Sequence, residues 1–546
     1  MKAPSIPVTV AVAALLVGAC DSATGPDTRL AGPANLAAIA TTATSVRVIF
    51  SPVEGATAYR IDRALPGQLV AELVTTSNFY HDDVGLTPGG FYEYTVTPLR
   101  GSEVGPTSGW ARVSTPEAGS LRSVLVGPIP TDRVLTADSQ YVIHRVAKVM
   151  RGATLTIQPG TRIVGDTLSP QALLLVGRGA RILAEGTADN PIVFTSQRPF
   201  GERNPGDWGG ISIVGNARTN LSGEASVNAP PEYREPYSGG NDDDDNSGVL
   251  RYVRIEFAGH ADEAGRDQNA LTLLAVGRGT TIEHVQVIGA LNDAFKWFGG
   301  TVDGRYLVSY EVGDDHFDVS QGYRGRNQFI LALRTRRFDP AGQSPNRRTF
   351  EIDGCEPDFP ACSADRRPRS LPIFANFTVV DTRPRDFSQG WSAGAQFRDG
   401  TGGILVNGAM VNLLNHAISI LDAESNQMRQ LDSLALWNLF LANLENFAPA
   451  PDFADRANWA GRNLEESSAT FSQLFVGMPA SPALEGDPRI NWRPSPGSAL
   501  ASGGLTTFGD PLATLAGTFI VPTTYRGAAD PAGRDWWASW TVYYMR

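Results

Sequence analysis

Val285-Gln-Val-Ile-Gly-Ala-Leu-Asn292-Asp293-Ala-Phe295 and Leu307-Val-Ser-Tyr-Glu-Val-Gly-Asp314-Asp315-His316-Phe317 are the stretches whose reading decides the fold. They align residue for residue at an offset of 22, and Gly300 and Gly322 keep that offset. Both are β-branched and lack helical spacing. A β repeat of roughly 20–25 residues punctuated by glycine signals a solenoid. Each repeat is then one coil of a parallel β-helix, and successive coils stack at about 4.8 Å.

The same texture extends outward. RGATLTIQPGTRIVGD (151–166), ALLLVGRGARILAEGTADNPIVFTS (172–196), GDWGGISIVGNA (206–217), GVLRYVRIEFAG (248–259) and ALTLLAVGRGTTIEHVQVIG (270–289) are short strands separated by Gly and Asn. IFANFTVVD (373–381), GGILVNGAMVNLLNHAISILD (402–422) and SLALWNLFLANLENF (433–447) continue it. In the last, Leu434, Leu436 and Leu439, Leu441 alternate, which favours strand over helix. Residues 452–475 are the best helix candidate. The Trp- and Tyr-rich tail to Arg546 is expected to cover the open C-terminal end, since a bare last coil exposes an aggregation-prone edge.

Before the solenoid, residues 33–116 show period-2 segments broken by Gly and Pro, the pattern of a small antiparallel sandwich. GPANLAAIATTATSVRVIFSPVEGATAYRIDRA (32–64) and VGLTPGGFYEYTVTPLR (84–100) resemble a fibronectin type III domain. Leu86-x-Pro88-x-x-x-Tyr92 matches its tyrosine corner, in which the hydroxyl ties the strand to upstream backbone. Phe50 stands where the family usually has tryptophan.

The N-terminus reads Met1-Lys2, an apolar run from Val8 to Val17, then Gly18-Ala19-Cys20. This is a secretory signal, too short for a spanning helix of about 20 residues. It resembles the lipobox of bacterial lipoproteins, which implies cleavage before Cys20 and acylation of that cysteine. Several acyl chains anchor a protein firmly, at about 0.8 kcal/mol per buried CH₂. The organisation expected is signal peptide 1–20, tether 21–32, sandwich 33–116, β-helix 121–450, and a helix and capping region 451–546. From Leu121 to Tyr323, and again at NWRPSPGSALASGG (491–504) and YRGAADPAGRDWWASW (525–540), the chain resembles a group of bacterial surface lipoproteins. That resemblance implies an all-β chain: a fibronectin-type sandwich followed by a right-handed parallel β-helix with a C-terminal cap. It also implies a lipid-anchored place in the cell envelope, the outer membrane or surface rather than the inner membrane. It implies no particular activity.

Net charge is −11 and the pI about 5.2. Nucleic acid is thereby disfavoured as a partner, because phosphate binding needs a basic surface. The partners expected are the membrane, through the anchor, and a polysaccharide or surface protein. Lysine occurs only at Lys2, Lys148 and Lys296, which reads as coding bias. Cys355 and Cys362 flank a proline-stiffened loop, and in an oxidising compartment a local disulfide is expected.

Asp293 and Asp315 occupy equivalent positions in successive coils, with Asp314, Asp318 and His316 beside them. Carboxylates about 5 Å apart repel, so one pKa rises or a cation bridges them. Three readings compete. Pectinase-type β-helix hydrolases carry Asn-x-Asp, Asp-Asp, Gly-His-Gly and Arg-x-Lys. Asn292-Asp293 and Asp314-Asp315 resemble the first two parts, but Arg336-Arg337-Phe338 departs from the later ones. Calcium suits clustered carboxylates. Structurally, Asp and Asn cap turns through backbone hydrogen bonds. Asp242-Asp243-Asp244-Asp245 form a second acidic run, either a calcium loop or a solvated loop. No phosphate loop, dinucleotide fingerprint or Gly-x-Ser-x-Gly is present. The balance of these readings favours a binding or adhesion protein; a polysaccharide hydrolase or lyase and a structural envelope protein are the alternatives. Trp208, Trp297, Phe298, Trp391, Trp437, Trp459 and Trp492 are read as core rather than sugar platforms.

Overall fold

In the computed structural model, Val285 pairs with Leu307 and Phe295 with Phe317, the register that an offset of 22 demands. The structure describes residues 29–64, 70–88, 90–115, 122–169, 171–199, 201–260, 268–335, 346–355, 363, 365–382, 391–449, 452–478 and 490–543. Cys20, Cys362 and Arg336–Phe338 lie outside them, while Cys355 is disulfide-bonded.

Strands from residue 122 to residue 467 join in one 25-stranded parallel sheet wound into coils. Each coil has three sides. In the coil holding Thr281–Ile288 and Phe295–Phe298, residues 281–283, 285–288 and 295–298 contribute to the first, second and third sides. Inward residues alternate along every strand, so Val285, Val287, Phe295 and Trp297 join one continuous core. Phe295, Phe317 and Phe350 stack there with centroids 5.3 and 5.5 Å apart.

The bend between the first and second sides takes one left-handed residue per coil. Tyr252, His284, Tyr306, Phe329, Asn376, Asn407 and Asn438 all have φ between +50° and +61°. Such backbone is strained for bulky residues. Stacking offsets the strain: the rings of Tyr252, His284 and Tyr306 lie 4.3 and 4.4 Å apart. The ladder then turns to asparagine, where Asn438 Nδ2 donates to Asn407 Oδ1 at 2.6 Å.

The helix expected over 452–475 is absent. Asp455 caps only the turn Arg456–Trp459, accepting from Ala457 N at 2.8 Å. Gly461 and Asn463 then adopt positive φ and end it. Glu465–Ser467 is a strand, and Phe471–Leu474 is a single helical turn. The capping expectation changes as well. Trp459, Ala454 and Leu464 close the interior core. The tail runs back along the first and second sides instead. Trp492, Trp537, Trp540 and Tyr543 pack on Tyr310, Leu333, Val380 and Phe440. Gln286 Nε2 donates to Val542 O at 2.7 Å.

Residues 37–114 form a sandwich of a three-stranded and a five-stranded antiparallel sheet. The tyrosine corner is present: Tyr92 Oη accepts from Thr87 N at 2.8 Å. Phe50 fills the core against Tyr59. Arg47 joins the two domains: it pairs with Asp82 at 2.6 Å and donates to Val126 O at 2.6 Å and to Pro128 O.

Phe317→Ala is expected to remove the middle ring of the core stack. The loss should be about 3–5 kcal/mol, read as a fall in the urea midpoint. An unchanged midpoint would refute that packing.

Candidate acidic site

The third side of the coil brings the predicted carboxylates together. Alternation that sends Phe295, Phe317 and Phe350 inward sends Lys296, Asp318, Glu351 and Gln396 outward. Register stacks those four in that order. Asp293 and Asp315 occupy the turn just before this side. Asp293 Oδ1 accepts from Asp315 N at 3.1 Å, and Asp315 Oδ1 from Arg348 N. These are the turn-capping bonds expected of Asp in a coil corner.

Carboxylate oxygens of Asp293, Asp315 and Asp318 lie within 4.8 Å of one another. All three residues are sealed, at 4, 0 and 3 % exposure. The charge they bring is answered by protein cations. Lys296 Nζ pairs with Asp318. Arg348 reaches Glu351 at 2.9 Å and Asp315 at 3.7 Å. Arg398 reaches Asp353 at 2.7 Å and Glu351 at 3.1 Å.

Described ion pairs thus set Lys296, Arg348 and Arg398 among six carboxyls: Asp293, Asp314, Asp315, Asp318, Glu351 and Asp353. Three of these carboxyls bind protons more tightly than a free carboxylate does. Burial, with the charges of Asp318 and Asp314, pushes Asp293 well above the usual carboxylate range. Burial, Asp314 and Glu351 do the same to Asp315. Burial and Glu351 raise Asp353. Glu351 is also buried, but Arg348 and Arg398 hold it below its ordinary value, and Asp315 hydrogen-bonds to it. A raised Asp315 beside a lowered Glu351 is a polarised pair of the kind used in acid–base chemistry.

His316 does not join the carboxylate group that the spacing suggested: its Nδ1 lies 2.6 Å from Ser309 Oγ. The carboxylates of the run 242–245 do not converge as a group of three. Among the described residues, the grouping of convergent carboxylates is Asp293, Asp315 and Asp318. Asp243 instead pairs with Arg324 at 3.1 Å and Arg218 at 3.4 Å. Asp242 Oδ1 accepts from Asp244 N, and Asp245 from Ser247. Trp208, Trp297, Trp459 and Trp492 are buried as core. Trp437 lies under Arg462, 3.9 Å from its centroid, Phe298 is half-buried, and the Trp391 side chain is outside the described residues.

Lys296, Arg348, Glu351, Asp353 and Arg398 were not picked out from the sequence. One signal was available: Lys296 is one of three lysines, and 22 residues on lies Asp318. Insertions before Glu351 and Arg398 break the constant offset and conceal the others.

Lys296→Met is expected to strand the buried Asp318 charge, at a cost of about 3–5 kcal/mol. Adding Asp318→Leu should recover most of it in thermal unfolding; no recovery would sink the pairing. The pH dependence has a definite sign. Asp293, Asp315 and Asp353 hold protons in the fold that the unfolded chain releases near pH ~4. Their stabilisation is complete below that value and fades as pH climbs through the raised folded values. Asp293→Asn with Asp315→Asn should flatten the decline in urea midpoint between pH 4 and 9.

No curated protein matches the chain. Solved structures that match include fibronectin type III domains, similar to the N-terminal part. The fn3 domain of human collagen alpha-1(XX) chain is 29% identical, covering 18% of this chain and 95% of that one, with a TM-score of 0.16. The FN5 domain of Drosophila Lar is 22% identical over 16% and 99%, TM-score 0.15. The sixth fibronectin type III domain of human fibronectin type III domain containing protein 3 is 20% identical over 18% and 91%, TM-score 0.16. The family model described as pectate-lyase like beta helix domain matches residues 127–470, from the first coil to the end cap, and the chain belongs to that family.

Proposed function

We propose that this chain is an exported, lipid-anchored protein of the cell envelope that binds a polysaccharide or another envelope partner without cleaving it. The observation that carries the reading is the sealing of the acidic site. A carboxyl that attacks or protonates a polymer must touch it, and Asp315 is 0 % exposed. The anchor rests on Val17-Gly18-Ala19-Cys20 and the apolar run before it. The long coil offers side surface for an extended ligand.

One observation favours a hydrolase or lyase as the second reading: the opposed pKa shifts of Asp315 and Glu351, which match an acid and its partner base. Size-exclusion chromatography separates the two. Residues 21–546 with Cys20→Ser are mixed with acidic and neutral polysaccharides. Co-elution with polymer of unchanged size is expected; polymer of reduced size, abolished by Asp315→Asn, would establish the enzyme.

Calcium would have to compete with the Lys296 ammonium at Asp318. Chelation with EGTA is therefore expected to leave the melting temperature unchanged, since only a bound native-state ligand raises it. A fall on chelation would give the cluster to a cation. In cells, Cys20→Ala should move the protein out of the membrane fraction; retention there would remove the anchor.

A further inference from the structure

A second feature stands on a different part of the coil. Between the first side and the returning tail lies a cavity of about 330 Å³ lined by Arg278, Arg324, Arg326, Leu371, Ile373, Thr514 and Leu515. Volumes of roughly 300–1,000 Å³ are those of small-ligand sites. Three of the lining residues are arginines, in a chain of net charge −11.

Two carboxylates brace these arginines. Asp303 pairs with Arg326 and lies 3.6 Å from Arg278, beyond hydrogen-bond reach. Asp243 holds Arg324 at 3.1 Å through Nη2. Arg326 also donates to Ala516 O at 3.3 Å, in the turn Leu512–Ala516 of the tail. Asp243 also holds Arg218 at 3.4 Å, so four arginines share two carboxylates. Leu371, Ile373 and Leu515 supply the apolar part of the lining.

We infer that this cavity is a binding site for an oxyanion, a carboxylate, phosphate or sulfate group, held by Arg278 and Arg324. Guanidinium forks match the planar and tetrahedral oxygens of such groups, and charge-assisted bonds are the stronger kind. Arg326 acts as a positioning residue, fixed between Asp303 and the tail. The site is separate from the buried acidic cluster, which lies on the third side of the coil. It stands whether or not the chain binds polysaccharide.

The oxyanion has two possible sources, a free inorganic ion or a group carried on an acidic sugar. Isothermal titration of residues 21–546 with inorganic phosphate and, separately, with a sulfated disaccharide distinguishes them. Saturable binding of at least one probe is expected, and the tighter probe identifies the source. Arg278→Met should weaken that binding at least tenfold, because its side chain is 41 % exposed and held by one long ion pair. Leu515→Trp, which fills the cavity without touching a charge, should do the same. Circular dichroism checks that both variants fold. Binding of neither probe, or binding unaltered in both variants, would overturn the assignment.

Discussion

Parallel stacking in register at one strand spacing is the constraint on which the rest depends. It forces each residue to live with the one directly above it. Inside the coil this is favourable, because identical rings superpose: Phe295, Phe317 and Phe350 stack with nearly parallel planes. At the first bend it is favourable again, since Tyr252, His284 and Tyr306 can share a strained backbone and still stack. For charges it is costly. A carboxyl above a carboxyl must find a cation or a proton, and the third side of this coil uses both.

That constraint explains what could be read from the chain and what could not. The offset between Val285 and Leu307 was enough to set the coil and the pairing of Asp293 with Asp315. Tyr92 marked the sandwich because its hydroxyl bond needs only a local spacing. Lys296 went unread although its place over Asp318 follows from the same offset. Glu351 and Arg398 were illegible for a different reason. Insertions before each make the coil lengths unequal, so their place in the stack emerges only from the folded register.

The region after residue 450 was misread for a physical reason too. Segment 452–475 has helix-forming composition, yet it must plug a β-coil. Plugging needs one large side chain, Trp459, pointed at the last layer, and a strand, Glu465–Ser467, to continue the sheet. Tertiary demand overrode local preference. Backbone groups of the tail likewise have partners hundreds of residues away, as Val542 N and O do with the Gln286 side chain.

The tail's return along the coil has a consequence for how the protein matures. Synthesis delivers the N-terminus first, so the coils emerge and can begin to stack before their covering exists. Tyr310, Leu333 and Val380 then face solvent until Trp492, Trp537 and Trp540 arrive at the very end of synthesis. Completion of the molecule is timed by its last residues. A chain truncated near residue 490 would carry a full coil and an uncovered apolar flank, and such flanks associate. Final assembly therefore doubles as a check that the whole chain has been made.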